Sequence, residues 1–361
     1  MASNVSAADY RTRYAEYVRR KWLAIGLLTL CVLVLAIASI AAGSSGLGVG
    51  DVLSALAGSG SRKTSAIVWN VRMPRIVTSI LVGCSLALAG CVMQCVLRNP
   101  LASASTLGVS QGASFGATIA IIGFGAGVQH TNATSSGVVG ITNPYLVTLF
   151  AFIGGMLTVT AILCLSRLRN LTPAAMILAG VAMSSLFMGG TTLAQYFSDD
   201  VALASVVYWT FGDLGRAGTT ERGILGAALA VSFIYFLANS WSYNALGGGT
   251  HTARSLGVNV GGLTLAGMTL SAFLSATAVS FVGIINFVGL IAPHMIRKFV
   301  GEDYRFLLPA SALTGACVLL ASDLAGRLAM PPTVLPIGAI TSFLGAPLFL
   351  YLIYTGRGVR S

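Results

Sequence analysis

Charge-free stretches recur along this chain at lengths that match a bilayer. A helix needs about 20 apolar residues to cross the hydrocarbon. The runs 22–42, 76–97, 145–165, 173–197, 223–241, 306–326 and 333–354 each reach that length with at most one charge. The stretch 101–128 is richer in Gly, Ala and Ser but is also uncharged, and it reads as a further span. Residues 261–296 carry no charge over 36 positions, too many for one crossing, so they read as two short spans with a tight turn near Gly283. Ten spans result. The segment VALASVVYWTF (201–211) is too short to cross and reads as an outer, interfacial or re-entrant helix.

Composition agrees with this pattern. The chain is 55% hydrophobic and 9% charged, whereas a soluble domain carries about 25% charged residues. Its 43 glycines suit close helix packing in lipid. The net charge of +11 is then better explained by basic cytoplasmic loops than by nucleic acid. With the N-terminus inside, 14 of the 21 basic residues but only four of the ten acidic ones fall on the cytoplasmic side. The asymmetry places both termini in the cytoplasm. Arg62, Lys63, Arg72, Arg75, Arg216, Arg222 and Arg327 then lie outside, against the trend. The chain divides into a cytoplasmic segment 1–21, a ten-span membrane domain 22–354 and a cytoplasmic tail 355–361.

Several chemistries are excluded. A P-loop needs Gly-Lys, and Lys21, Lys63 and Lys298 each follow an arginine. Proton-coupled carriers bury ionisable groups at mid-membrane. The only acid within the spans is Asp323, near an outer end and four residues before Arg327, a spacing that can close a helical ion pair. The six cysteines all fall in apolar runs. Cys84, Cys91 and Cys95 share a helix face, as packing residues or as a soft-metal path. A pore-forming subunit powered by another chain or a passive channel remains, and a secondary transporter is the rival that the missing mid-membrane charges argue against.

The string RMPRIVTSILVGCSLALAGCVMQCVLRNPLASASTLGVSQGASFGA (72–117) resembles the FecCD-type permeases of ABC importers for ferric siderophores, haem and vitamin B12. So do HTARSLGVNV (251–260), FVGLIAPHMIRKFVGEDYRFLLPASALTGACVLLASDLAGRLA (287–329) and LPIGAITSFLGAPLFLYLI (335–353). The similarity extends from about Gly50 to the C-terminus. It implies an all-α permease of ten spans, paired as a homodimer or with a similar permease, in a bacterial cytoplasmic (inner) membrane. It also implies two partner ATPase subunits, which carry ATP and Mg, and an extracytoplasmic substrate-binding protein. No catalytic residue, cofactor or metal is expected on this chain. An iron–siderophore complex is the expected cargo, with haem or a cobalamin as the alternative.

The resemblance also assigns residues. Arg72, Arg75 and Arg327 are expected to dock carboxylates of the binding protein, which a rigid guanidinium fork suits. Anchoring to headgroups, or pairing of Arg327 with Asp323, is the plainer alternative. The loop 242–260 is expected to hold two short helices that enter the ATPase, with Ala253, Arg254, Ser255, Leu256, Gly257 and Val258 as the coupling residues. Thr250 or Thr252 is expected to cap the second helix and Gly257 to end it. GlyGlyGlyThr stands where relatives often carry acids, and Val334 where they commonly carry Glu. Span five offers Met183, Met188, Thr191 and Thr192 as lining for the translocation path, or as packing residues. Segment 201–211 with Pro336 and Gly338 is a candidate outer gate, and Arg98-Asn99-Pro100 and His294 belong to the inner mouth.

Overall fold

The apolar runs fold as helices whose ends are set by proline, glycine and charge. The computed structural model describes residues 7–42, 49–126, 143–169, 172–331 and 333–355. Along them run α1 (Ala7–Ala41), α2 (Val49–Leu56), α3 (Arg62–Ile67), α4 (Met73–Val96), α5 (Val109–Thr118), α6 (Pro144–Arg169), α7 (Pro173–Tyr196), α8 (Asp200–Thr210), α9 (Thr219–Ala238), α10 (Ser240–Gly247), α11 (Thr250–Ser255), α12 (Val260–Val282), α13 (Val288–Val300), α14 (Tyr304–Leu328) and α15 (Ile337–Thr355). Among the described residues the only β pairing is one isolated bridge, Met330 to Thr333.

Seven helical stretches are long and apolar enough to span: α1, the α3–α4 rod, α6, α7, α9, α12 and α14. Three shorter ones complete the ten: α5 with its π turn (Val109–Gly123), α13 and α15. α1 does not begin at Trp22. It runs unbroken from Ala7, because the basic stretch before Trp22 holds no helix breaker. α3 and α4 are joined by a π turn over Val68–Arg72, so the second span starts well before residue 76. The third span is shorter than its uncharged run. Residues 101–108 are turns in which Ser103 N–H donates to Thr106 Oγ1 at 2.8 Å and Thr106 N–H to Ser103 Oγ at 3.2 Å. Hydroxyls that take up backbone donors in this way compete with the helix. Gly283, at φ +87°, makes the expected turn after α12.

α4 is the axis of the bundle and is sheathed by α14, α12, α13 and α9. Two glycine pairs allow the approach. A Cβ on Gly83 would lie 2.5 Å from the Gly315 carbonyl oxygen of α14, and one on Gly90 would lie 1.8 Å from the Gly289 carbonyl of α13. Backbones this close leave no room for any side chain at either position. α1, α7 and α9 lie at the rim, with few of their apolar residues covered.

Candidate functional site

Among the described residues the ion pairs fall into two groups, one at each end of α14. At the first end Asp323, only 1% exposed, accepts from Arg75 Nε at 2.6 Å and from Arg327 Nε at 2.9 Å. Arg75 also donates through Nη1 to Asp213 at 3.0 Å. The second arginine group reaches α1, whose last turn has no basic residue of its own. Arg327 Nη1 donates to the Ser39 and Ala42 carbonyls at 3.2 and 3.1 Å, and Nη2 to the Ser39 hydroxyl. Arg72, placed by the π turn, donates to the Ile40 carbonyl and to that of Ala41 at 3.2 Å. Cations at a helix C-terminus satisfy its orphan carbonyls and favour its dipole.

The structure therefore brings Arg72, Arg75 and Arg327 together, with all three guanidiniums turned into the protein. The Asp323–Arg327 pair follows the i,i+4 spacing. The Arg75 pairings with Asp323 and Asp213 went unread in the sequence. A signal existed, since a lone acid inside an apolar run needs compensation wherever it is buried.

Beside this knot the candidate outer gate is assembled from backbone. Gly338 N–H donates to the Phe211 carbonyl at 3.1 Å, and Asp213 N–H to the Val282 carbonyl at 2.7 Å. The end of α8, the turn at Gly283 and the start of α15 thus meet at one point. Val334 is exposed nearby and offers no charge.

At the opposite end Asp303 caps α14. It accepts from the Arg305 backbone at 3.1 Å, from Arg305 Nη2 at 2.6 Å and from Asn244 Nδ2 at 2.9 Å. Burial pushes this carboxyl up, but the hydrogen bonds from Arg305 and Asn244 outweigh it and hold the group at about 2. Asn244 also accepts from Tyr304 N–H at 2.7 Å, so α10 is bolted to the first turn of α14. Arg305 lies 4.3 Å from the Trp241 ring centroid.

The expected two short helices are α10 and α11. Gly249, at φ +112°, rather than either threonine, occupies the N-cap of α11, so the expected threonine cap is not made. The C-terminal end is as expected. Val258 N–H donates to the Ala253 carbonyl and Gly257 N–H to that of Arg254, both at 3.0 Å, with Gly257 at φ +81°. This pair of bonds is a Schellman cap. It buries Ala253 and leaves Leu256, 68% exposed, projecting with Arg254 and Ser255 from the tip, with Val258 half-buried behind it.

Also at this end, Arg98 takes the left-handed position after α4 at φ 46°, and Asn99 Oδ1 accepts from Leu101 N–H at 2.8 Å, so Pro100 follows a true stop. Arg297 Nη2 donates to Gln94 at 3.3 Å. His294 lies edge-on to Phe349, 6.3 Å between centroids, as a packing residue. His130 falls outside the described residues.

On α7 the four path candidates divide. Met188 and Thr192, one turn apart, are exposed on the same face, where Thr192 Oγ1 donates to the Met188 carbonyl at 2.9 Å. Met183 packs against the core, and the Thr191 hydroxyl is buried without a protein partner. The cysteines are free thiols; Cys84, Cys91 and Cys95 are buried, and among the described residues no group of three His, Cys, Asp or Glu could hold a metal.

Spanning-length apolar helices packed into one bundle, with the short helix α8 at one end and the bolted α10–α11 pair at the other, define a polytopic membrane protein. The family model for the FecCD transport family matches residues 30–355. An ABC transporter permease of Methanocaldococcus jannaschii, provisionally so named, is 52% identical over 96% of this chain and 98% of its own length. The hemin transport system permease HmuU of Yersinia pestis is 37% identical over 81% of this chain and 85% of its own. The vitamin B12 import system permease BtuC of Salmonella arizonae is 34% identical over 90% and 92%. A solved inward-facing conformation of a provisionally assigned metal-chelate type ABC transporter superposes with a TM-score of 0.78 at 30% identity, covering 91% of this chain and 98% of that one. The chain belongs to the FecCD transport family, and it is an ABC importer permease.

Proposed function

We propose that this chain is one of a pair of permeases, identical or similar, that carries an iron–siderophore complex inward across a cytoplasmic membrane. Both termini are cytoplasmic in this reading, and the Asp303 end faces the cytoplasm. Two partner ATPases supply the energy, with ATP and Mg bound on them. The observation that carries the proposal is the Schellman-capped tip of α11. It holds Leu256, Arg254 and Ser255 clear of the bundle on a helix pair fixed to α14 through Asn244. An apolar side chain on a rigid projection is what a cleft in a partner would accept. Movement of the α10–α11 pair would then shift the bundle between outward-open and inward-open states.

At the other end, three guanidiniums stand against two carboxylates, which leaves an excess positive charge facing the substrate-binding protein. In this reading Arg72, Arg75 and Arg327 attract the binding protein through that excess, and its carboxylates exchange with Asp213, the more exposed of the two. The exposed Met188–Thr192 face of α7 suits a weakly holding path, with Met183 and Thr191 supporting it from behind. Haem or a cobalamin is the second reading of the cargo, favoured by what the hemin and vitamin B12 relatives are named for.

The test is reconstitution with the co-purifying partners in liposomes and uptake of an iron-radiolabelled hydroxamate siderophore. Uptake that needs both ATP and the binding protein is the expected result. ATP-dependent uptake of haem or cobalamin but of no iron–siderophore complex moves the cargo. Uptake that needs neither ATP nor binding protein refutes the importer reading.

A further inference from the structure

We infer that Tyr243 and Ser271 are the two halves of a latch, open in this conformation, that closes when the α10–α11 pair moves; the inference rests on the coupling role proposed above. Tyr243 is the residue next to Asn244 on α10, and it is 0% exposed. Its ring packs against Tyr304, with centroids 5.9 Å apart, and against Phe236 at 6.3 Å. Its carbonyl accepts a hydrogen bond from Cys95 Sγ at 3.6 Å. The phenol thus leaves α10 and enters the seam between α4 and α12. A Cβ on Gly267 would lie 3.1 Å from the phenol oxygen, 3.2 Å from Val96 and 3.3 Å from Val92.

The hydroxyl at the tip of this ring has no protein partner. A buried phenol O–H normally finds one. One turn further along α12, on the face that carries Gly267, stands Ser271. Ser271 is also 0% exposed, and its hydroxyl is also without a partner. It does not even bond the carbonyl four residues back, as Thr277 on the same helix does. Ser275, orphaned as well, stands a further turn along, so Ser271 is the first orphaned donor the phenol meets, one turn away, and the two form a pair waiting for a shift of about 5.4 Å. Shifts of one turn between packed elements are a known form of two-state change. The small Gly267 leaves the track clear for the ring.

Tyr243 and Ser271 are in this view positioning residues, whose bond exists in only one of the two transport states. Removing either hydroxyl biases the equilibrium by what one net hydrogen bond supplies, about 2- to 13-fold. The test is a double-mutant cycle of Tyr243→Phe and Ser271→Ala in the complex with its ATPase partners, reading the ATP concentration for half-maximal hydrolysis. Both single variants should shift it in the same direction by similar factors, and the double variant should shift it no further. Absence of a shift in the single variants, or a double shift equal to the product of the two, overturns the latch. A structure of the wild-type complex trapped with ATP gives the second reading. Hydroxyls within hydrogen-bond distance support the latch, and hydroxyls still a turn apart refute it. Wild-type complex that shows no ATP-dependent rearrangement at all would instead sink the coupling role itself, which keeps the two failures distinct.

Discussion

The two ends of the bundle solve the same problem with opposite results. Each has an aspartate at one end of α14, each pairs it with arginine, and each uses the pair to join distant parts of the chain. At Asp323 the partners come from far away. Arg75 is 248 residues off and reaches on to Asp213, 138 residues from itself, while Arg327 carries the network into α1. At Asp303 the arginine is a neighbour, Arg305, and only Asn244 brings in a separate element. Asp323 is sealed from solvent and Asp303 is less so. One end is therefore locked by charges that cannot be separated cheaply, and the other is held by one neutral amide that can be released. A permease that is driven from one end has use for such an asymmetry.

The largest effect should come from breaking the lock. Asp323→Ala leaves Arg75 and Arg327 buried beside each other with one carboxylate fewer, a defect that typically costs about 3–5 kcal/mol. Loss of detergent-stable, monodisperse protein in a thermal-shift measurement is the expected outcome. Wild-type stability would mean that water already reaches this knot. Next comes acid. The Asp303 carboxyl lies at about 2 in the folded chain, below the ordinary aspartate value of about 4, so its contribution is fully present above pH 4 and is lost as pH falls from 4 towards 2. The loss amounts to about 2 kcal/mol. Asp303→Asn should flatten that part of the stability profile, and an unchanged profile would count against the hydrogen bonds that depress it. Asn244→Ala is a comparable or smaller change. It removes one donor and one acceptor at a half-exposed joint, roughly 1–2 kcal/mol. Transport per ATP should fall further than stability does. Equal losses of both would make Asn244 an ordinary structural residue.

Much of this was legible in the residues, and the reasons for the gaps are physical. Run length and charge located ten spans, because lipid forces nearly all backbone hydrogen bonds inside helices. The turn at Gly283 followed from a run too long for one crossing and barely enough for two. The turn over 101–108 did not, because Ser103 and Thr106 compete with the helix without adding any charge to the run. The overlength α1 and the π turn before Met73 also escaped, since neither leaves a periodic mark. At the candidate site the Asp323–Arg327 pair is local and could be read from spacing. Arg72 and Arg75 act on Ile40 and Asp213, contacts that depend wholly on how helices pack. Tyr243 gave no signal at all. It is one aromatic among many until its hydroxyl is seen to lack a partner.

The smallest effect on stability sharpens the comparison most. Leu256 stands at the released end, 68% exposed, on a turn closed by Gly257. Leu256→Asp removes no buried contact, so the folded chain should keep its stability within about 0.5 kcal/mol. The cap beneath the residue depends on backbone bonds and on the left-handed Gly257, neither of which the substitution touches. An added carboxylate would nevertheless have to be desolvated in any apolar cleft that accepts the tip, which is unfavourable without a partner cation. ATPase association, measured by co-purification from detergent, should therefore fall at least tenfold while the thermal midpoint stays put. A variant that still binds the ATPases and still supports ATP-dependent uptake would remove Leu256 from the coupling surface. The drive would then have to enter through Arg254 and Ser255, the other side chains that the α11 cap leaves projecting.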